Sequence, residues 1–283
     1  MQRFFTQPEN VKGDEIFLYG GDVNHMKQSL RMKIGEQLEI RDSRGKVYLC
    51  SIKKYFSGNH EKGSIEEGFN GCTDENDYET VTNRLKGSKN RKNQRVEIAV
   101  LQIEKEWQND TELSSRITLF QGLPKSDKME LIIQKAVELG VYQIIPVSTA
   151  RTIVKMDEKK TDKKVSRWNS ISESAAKQSG RGIIPEVTDV MSFSEALEHS
   201  KGLGITLIPY ELAKEMYETK GILKEIKAKE QIGIFIGPEG GFEQQEVEKA
   251  VEAGAHPITL GKRILRTETA AITMLSILMF ELS

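Results

Sequence analysis

The stretch Ile236-Gly237-Pro238-Glu239-Gly240-Gly241-Phe242 and its successor Leu260-Gly261-Lys262-Arg263-Ile264-Leu265-Arg266-Thr267-Glu268-Thr269-Ala270-Ala271 decide how the second half of this chain reads. Each is a glycine-bearing turn that leaves a short apolar strand and enters a helix, and one strand-helix unit separates the two. Turns so placed build the ligand crevice of an α/β sheet. Glycines let the main chain approach a ligand and present bare N–H and C=O groups. A heteroaromatic ring such as adenine can then be held without metal or thiol chemistry. Glycine after a strand is also an ordinary loop closer; two turns in this relation favour a site.

Outward from these turns, strand patterns at 117–123, 143–148, 183–187, 203–209, 232–237 and 257–260 alternate with helical ones at 127–139, 163–178, 192–199, 211–228, 243–253 and 267–282. Such alternation predicts a mostly parallel sheet covered on both faces. Asp127 and Glu130 have the spacing of a capping box, and Gly140 stands at the C-terminal stop. Met129, Ile132, Ile133, Ala136 and Val137 share one face of that helix, which therefore packs on a sheet. The last helix begins with Thr267, Glu268 and Thr269 as ordinary caps. It is apolar almost all round, at Ile272, Met274, Leu275, Ile277, Leu278, Met279, Phe280 and Leu282, so burial on several sides is expected.

The first half reads differently. Short strands at 15–19, 37–41 and 46–52, the last two joined by Asp42-Ser43-Arg44-Gly45, alternate in the manner of a small barrel, with one helix expected over 22–32. Residues 57–94 lose the pattern to Gly, Asn, Ser and charge: seven acidic residues lie between Glu61 and Glu79, and six basic ones from Arg84 to Arg95. A segment this polar buries too little apolar surface to order itself and reads as a mobile insertion. Its basic half is either an arm for RNA phosphates or a solvated insertion, and the second reading is favoured. A strand returns over 95–103.

At 283 residues the chain suffices for two domains with their own cores, and 37% hydrophobic with 29% charged residues is normal globular composition. No apolar run approaches a membrane span, and the N-terminus lacks the apolar core of a signal peptide, so a cytoplasmic protein is expected. Cys50 and Cys72 share no metal-ligand spacing with each other or with the histidines at 25, 60, 199 and 256. A disulfide is conceivable, but a buried thiol at Cys50 and an exposed one at Cys72 is the better reading for a cytosolic chain. The net charge of −1 argues against a nonspecific polycation, while residues 1–54 carry ten Lys/Arg against seven Asp/Glu.

The glycine turns resemble the two C-terminal motifs of the SPOUT superfamily of S-adenosylmethionine-dependent RNA methyltransferases. Within it, the chain resembles the 16S rRNA uracil-N3 methyltransferase family nearly end to end. The matching stretches are Arg3-Phe4-Phe5, His25 with Leu30-Arg31-Met32, Lys125-Ser126-Asp127-Lys128-Met129-Glu130, Glu138-Leu139-Gly140 and Gln178-Ser179-Gly180-Arg181. The resemblance implies a PUA-like RNA-binding β-barrel over 1–114, with the insertion at 57–94 departing from the family pattern. It further implies a SPOUT α/β methyltransferase domain over 115–283 with a C-terminal trefoil knot, a homodimer, and 16S rRNA as partner within the small ribosomal subunit. Neither membrane nor metal is expected.

In the family's arrangement three loops converge on S-adenosylmethionine. The first carries Leu207, Pro209, Tyr210 and Glu211, although Pro-Tyr-Glu is equally a plain helix boundary. The second carries Ile236, Gly237, Pro238, Glu239, Gly240 and Gly241, where Glu239 either caps the following helix or meets the methionine ammonium. The third carries Leu260, Gly261, Ile264, Leu265, Arg266, Thr267 and Ala270. Loss of the uracil N3 proton calls for an arginine near the carbonyls, for which Arg266 and Arg181 are candidates; for Arg181 a phosphate contact or ion pair is the stronger alternative. No secure general base is visible. Arg3, His25 and Arg31 are the implied RNA contacts, with a structural hydrogen bond the other reading of His25. Two rival readings stay open: methylation of another RNA base, and a noncatalytic rRNA-binding assembly factor. A phosphate cradle is disfavoured, because neither G-x-x-x-x-G-K-[ST] nor G-x-G-x-x-G occurs at the turn.

Overall fold

The computed structural model describes residues 1–42, 44–59, 95–125, 127–152, 158–210, 216–226 and 230–283. Most of the polar insertion, with its acidic and basic runs and Cys72, lies outside the described residues, as does Glu211. The chain divides into two compact units, Met1–Asp110 and Thr111–Ser283.

Among its described residues the first unit holds one six-stranded sheet. Its strands are β1 (Gln2–Thr6), β2 (Val11–Lys12), β3 (Glu15–Tyr19), β4 (Gln37–Asp42), β5 (Lys46–Asn59) and β6 (Arg95–Gln108), in the order β1-β4-β5-β6-β3-β2. Among the described residues, β1 and β4 pair in parallel and the remaining neighbours are antiparallel. Alternation puts Tyr48, Cys50 and Ile52 into a core with Phe4, Ile16, Leu38, Ile40 and Leu101. Burial pushes the Cys50 thiol up to about 12, which makes it an inert core group. At the turn before β5, Asp42 accepts the N–H groups of Arg44 and Lys46 at 2.9 and 2.8 Å, and Gly45 takes φ +90°.

The helix expected over 22–32 is shorter and more irregular. A turn of helix, α1 (Gly21–Asn24), passes into a π-helical turn over His25–Ser29. It ends where Arg31 adopts φ +53° and the Met32 N–H reaches back to the Met26 carbonyl at 2.9 Å. Among the described residues Arg31 is the one non-glycine residue in the left-handed region, a place where glycine normally closes a helix.

The second unit alternates as its sequence predicts. It runs β7 (Arg116–Gly122), α2 (Lys128–Glu138), β8 (Gln143–Ser148), α3 (Glu158–Ser179), β9 (Glu186–Val187), β10 (Met191–Ser192), α4 (Phe193–Ser200), β11 (Ile205–Pro209), α5 (Met216–Glu225), β12 (Gln231–Ile236), α6 (Gln244–Glu252), β13 (His256–Ile258) and α7 (Thr267–Leu282). The strand order is β10-β8-β7-β12-β11-β13, with β9 beside β8, and the pairings are parallel. Near-continuous apolar strands such as Ile117 to Phe120 and Ile232 to Ile236 suit a sheet covered on both faces. Phe120 on β7 and Phe235 on β12 stack at 4.4 Å between ring centres.

Two sequence expectations change. Asp127 precedes α2 without a side-chain cap bond, and Glu130 pairs with Arg167 of α3 at 2.6 Å instead of reaching back. Capping boxes stand elsewhere, at Ser192 with Glu195 and at Glu243 with Glu246. Within the chain, α7 buries chiefly one side, through Ala271, Met274, Leu275 and Leu278, while Phe280 is 80% exposed. No described helix is long and apolar enough to cross a membrane.

Candidate functional site

Parallel strands deliver their carboxyl ends to one edge of the sheet, and β11, β12 and β13 are neighbours there. The residues that follow them enclose a cavity of about 190 Å³. From β11 come Pro209 and Tyr210, and from β12 come Ile236 and the turn Gly237 to Phe242. The stretch after β13 gives Thr259, Leu260, Gly261, Arg263, Ile264 and Leu265, and α7 adds Thr267 and Ala270. Much of this wall is main chain and aliphatic side chain, with polar groups at Arg151, Tyr210, Glu239, Thr259, Arg263 and Thr267. That is a surface for a flat, apolar ring with polar edges.

The glycines of the β12 turn have separate jobs. A Cβ on Gly237 would stand 3.0 Å from the backbone of Gly241, tighter than ordinary contact, so a side chain there would press on the turn. Gly241 takes φ +66°, and its N–H bonds to the Pro238 carbonyl at 2.9 Å. At Gly240 the nearest atoms to an added Cβ belong to the side chain of Arg151, at 3.2 and 3.3 Å. In the third loop Gly261 takes φ +114°, another conformation costly for other residues.

Hydrogen bonds fix the turn to its surroundings. The Thr267 hydroxyl donates to the Gly237 carbonyl at 2.7 Å and accepts from Gln121 Nε2 at 2.9 Å. Glu239 does not cap α6, whose N-cap is Glu243. Its carboxylate instead accepts the Lys125 N–H at 3.1 and 3.2 Å and lies 3.3 Å from Lys128 Nζ. Burial raises the Glu239 carboxyl, but bonds from its own and the Lys125 N–H and the Lys128 ammonium outweigh this and hold it below the ordinary range.

Of the residues expected at the cofactor, Leu207 is fully buried within β11 rather than on the wall. Arg266 is also off the wall: it is the exposed N-cap of α7, and its carbonyl accepts the Ala270 N–H at 2.8 Å. Arg181 requires a correction. It is buried, donates to both oxygens of Glu112 at 2.6 to 3.1 Å, and donates to the Val137 and Val141 carbonyls at 2.7 and 2.9 Å. Its buried guanidinium ties Glu112 to the end of α2, which is the ion-pair reading.

Phe242 and Arg263 fall within the two stretches that the sequence singles out, whereas Arg151 and Thr259 lie outside them. Arg151 reaches the wall because Glu246, inside the α6 capping box, also accepts the Ala150 N–H at 2.9 Å. Its Nη1 then donates to the Gly240 carbonyl at 2.5 Å. In the first unit, Arg3 lies 3.5 Å from Glu39, His25 packs edge-on to Phe4 at 6.3 Å, and Arg31 is exposed. No metal-binding group of His, Cys, Asp and Glu occurs among the described residues.

A parallel sheet with a glycine-walled cavity beyond its carboxyl ends agrees with the class found by comparison. Residues 111–279 match the RNA methyltransferase domain family, and residues 18–55 match the RNA methyltransferase PUA domain. The chain is 31% identical over 288 residues to the ribosomal RNA small subunit methyltransferase E of Bacillus subtilis, covering 99% of this chain and 97% of that protein. The enzyme of the same name from Neisseria gonorrhoeae, solved bound to S-adenosylmethionine, superposes with a TM-score of 0.72 at 28% identity, covering 99% of this chain and 97% of the other. A Legionella pneumophila protein described as a methyltransferase, solved with its cofactor S-adenosylmethionine, gives 0.74 at 28% identity over 98% of this chain and 96% of the other. The chain belongs to the ribosomal RNA small subunit methyltransferase E family.

Proposed function

We propose that the protein transfers a methyl group from S-adenosylmethionine to N3 of a uracil in 16S rRNA. The observation that carries this is the cavity walled by the ends of β11 and β12, the stretch after β13 and the start of α7. The wall fits the donor: aliphatic Ile236, Leu260, Leu265 and Ala270 suit the adenine faces, and bare glycine main chain suits its edges. Pro209, Tyr210, Glu239, Gly240, Gly261, Ile264 and Thr267 complete the binding set. When bound, the donor supplies a sulfonium methyl with an excellent leaving group. The protein's task is then alignment, together with stabilising the negative charge left as the uracil loses its N3 proton. Arg266, exposed beside the wall, is assigned that electrostatic role; Arg181 is given no step.

Arg3, His25 and Arg31 grip rRNA from the PUA-like first unit, Met1–Asp110, and the second unit, Thr111–Ser283, carries the transfer. The family's trefoil knot is assigned to the C-terminal loops and α7. A homodimer is assigned on the part-exposed side of that helix, where Phe280 is otherwise an unexplained exposed apolar group. The setting is cytoplasmic, with the small ribosomal subunit as substrate.

Calorimetric titration with S-adenosylmethionine tests the reading of the cavity. Wild type should bind at one site per chain, and Gly237→Val, which forces the turn open, should not bind. Equal affinity of the two proteins would remove the cavity from the reaction.

A further inference from the structure

The motif Lys125 to Glu130 bears on the cavity without lining it. Lys128 opens α2, a position where a cation opposes the helix dipole, and Asp127 before it makes no cap bond. Glu130 in the first turn suits the dipole, so the conflict is local to Lys128 and calls for a gain elsewhere.

That gain lies in two carboxylates. Lys128 Nζ stands 3.3 Å from Glu239 Oε1 and 3.2 Å from Glu268 Oε2, the latter an ion pair whose geometry falls short of a hydrogen bond. The three side chains are 29%, 29% and 16% exposed, so the charges are only partly screened. Glu239 belongs to the turn after β12, and its neighbours Pro238 and Gly240 line the cavity. Glu268 belongs to the first turn of α7, whose Thr267 and Ala270 line it from another side. A single ammonium is thus the shared counter-ion of two walls. Without it, two like charges would share the site and drive those walls apart.

We propose that Lys128 is a positioning residue for methyl transfer, setting the separation of the glycine turn and the last helix so that the methyl donor is admitted. This rests on the reading of the cavity as the S-adenosylmethionine site.

Calorimetry with S-adenosylmethionine, joined to KM and kcat on rRNA, tests it. Lys128→Met should weaken donor affinity and raise its KM about tenfold, with kcat within about twofold of wild type. Lys128→Arg, which keeps the charge, should restore affinity to within about threefold. Adding Glu268→Gln to Lys128→Met should recover part of the loss, because it removes the uncompensated charge; lost packing would show no such suppression. Donor affinity of Lys128→Met within about twofold of wild type, or a deeper defect in the double variant, would overturn the proposal. Should Lys128→Met fail to fold, Glu268→Gln alone decides, with about a threefold loss expected and unchanged affinity overturning the role. Gly237→Val titrated in parallel separates the two readings. Wild-type donor affinity in Gly237→Val strikes the cavity, whereas its loss of binding beside an unaffected Lys128→Met strikes Lys128 only.

Discussion

The Thr267 hydroxyl, at the start of the last helix, donates to the Gly237 carbonyl of the glycine turn at 2.7 Å while accepting from the buried Gln121 amide at 2.9 Å. One side chain thereby joins three segments of the second unit, β7, the β12 turn and α7. Thr267 itself is buried, so neither bond is exchanged with water.

Thr267→Val keeps the shape of that side chain and removes both bonds. Leaving the Gly237 carbonyl unpaired should cost about 2 kcal/mol of stability, the scale of a buried polar group without a partner. Urea unfolding reads the change, and a loss below roughly 0.5 kcal/mol, the size of an ordinary surface substitution, would show that the bond is dispensable.

The glycines should differ in tolerance. Gly237→Ala places a methyl 3.0 Å from the Gly241 backbone, whereas the nearest atoms to a Gly240→Ala methyl are side-chain atoms of Arg151, at 3.2 Å and beyond. Donor affinity should fall by more than about tenfold for Gly237→Ala and stay within about threefold for Gly240→Ala. Calorimetry that ranks them in reverse would contradict this account of the turn.

Arg181→Met tests whether that arginine is structural. It strands Glu112, which also accepts the Gly182 N–H at 2.7 Å, takes the Arg181 donor from the Val141 carbonyl, and leaves the Val137 carbonyl to the Gly140 N–H at 3.2 Å. A loss of about 3 kcal/mol is expected, as for other broken buried pairs. Single-turnover rate at saturating RNA, measured on folded protein, should hardly change. A large fall in rate with intact stability would return Arg181 to catalysis.

Arg31 sits where a helix usually places glycine. Arg31→Gly should therefore leave stability unchanged or raise it by up to ~1 kcal/mol, while weakening RNA binding and lowering its salt slope by about one counterion. Arg266→Ala should instead depress the rate at saturating RNA and spare RNA affinity. An Arg31→Gly protein that grips RNA like wild type would remove the reason for tolerating this backbone.

The parallel sheet was legible because strands buried on both faces are written as unbroken apolar runs such as 232–236, each followed by a helical period. The cavity was legible because glycine turns at strand ends carry their own signature. What escaped reading depends on contacts distant in sequence. Arg151 lies in a loop without a motif and enters the wall through Glu246, 96 residues away from the Ala150 N–H it accepts. Arg181 reads the same whether it faces RNA or Glu112, and only burial decides. Asp127 has the right spacing for a capping box, yet Glu130 finds Arg167 instead. The π-helical turn at His25–Ser29 has no periodicity of its own to announce it.

The central claim is tested most directly by incubating the protein with methyl-labelled S-adenosylmethionine and small ribosomal subunits from a strain lacking it, then identifying the labelled nucleoside by mass spectrometry. The account predicts about one 3-methyluridine per subunit in 16S rRNA, absent with Gly237→Val, in keeping with a single specific site. Label on another nucleoside, or none despite bound donor, would contradict it.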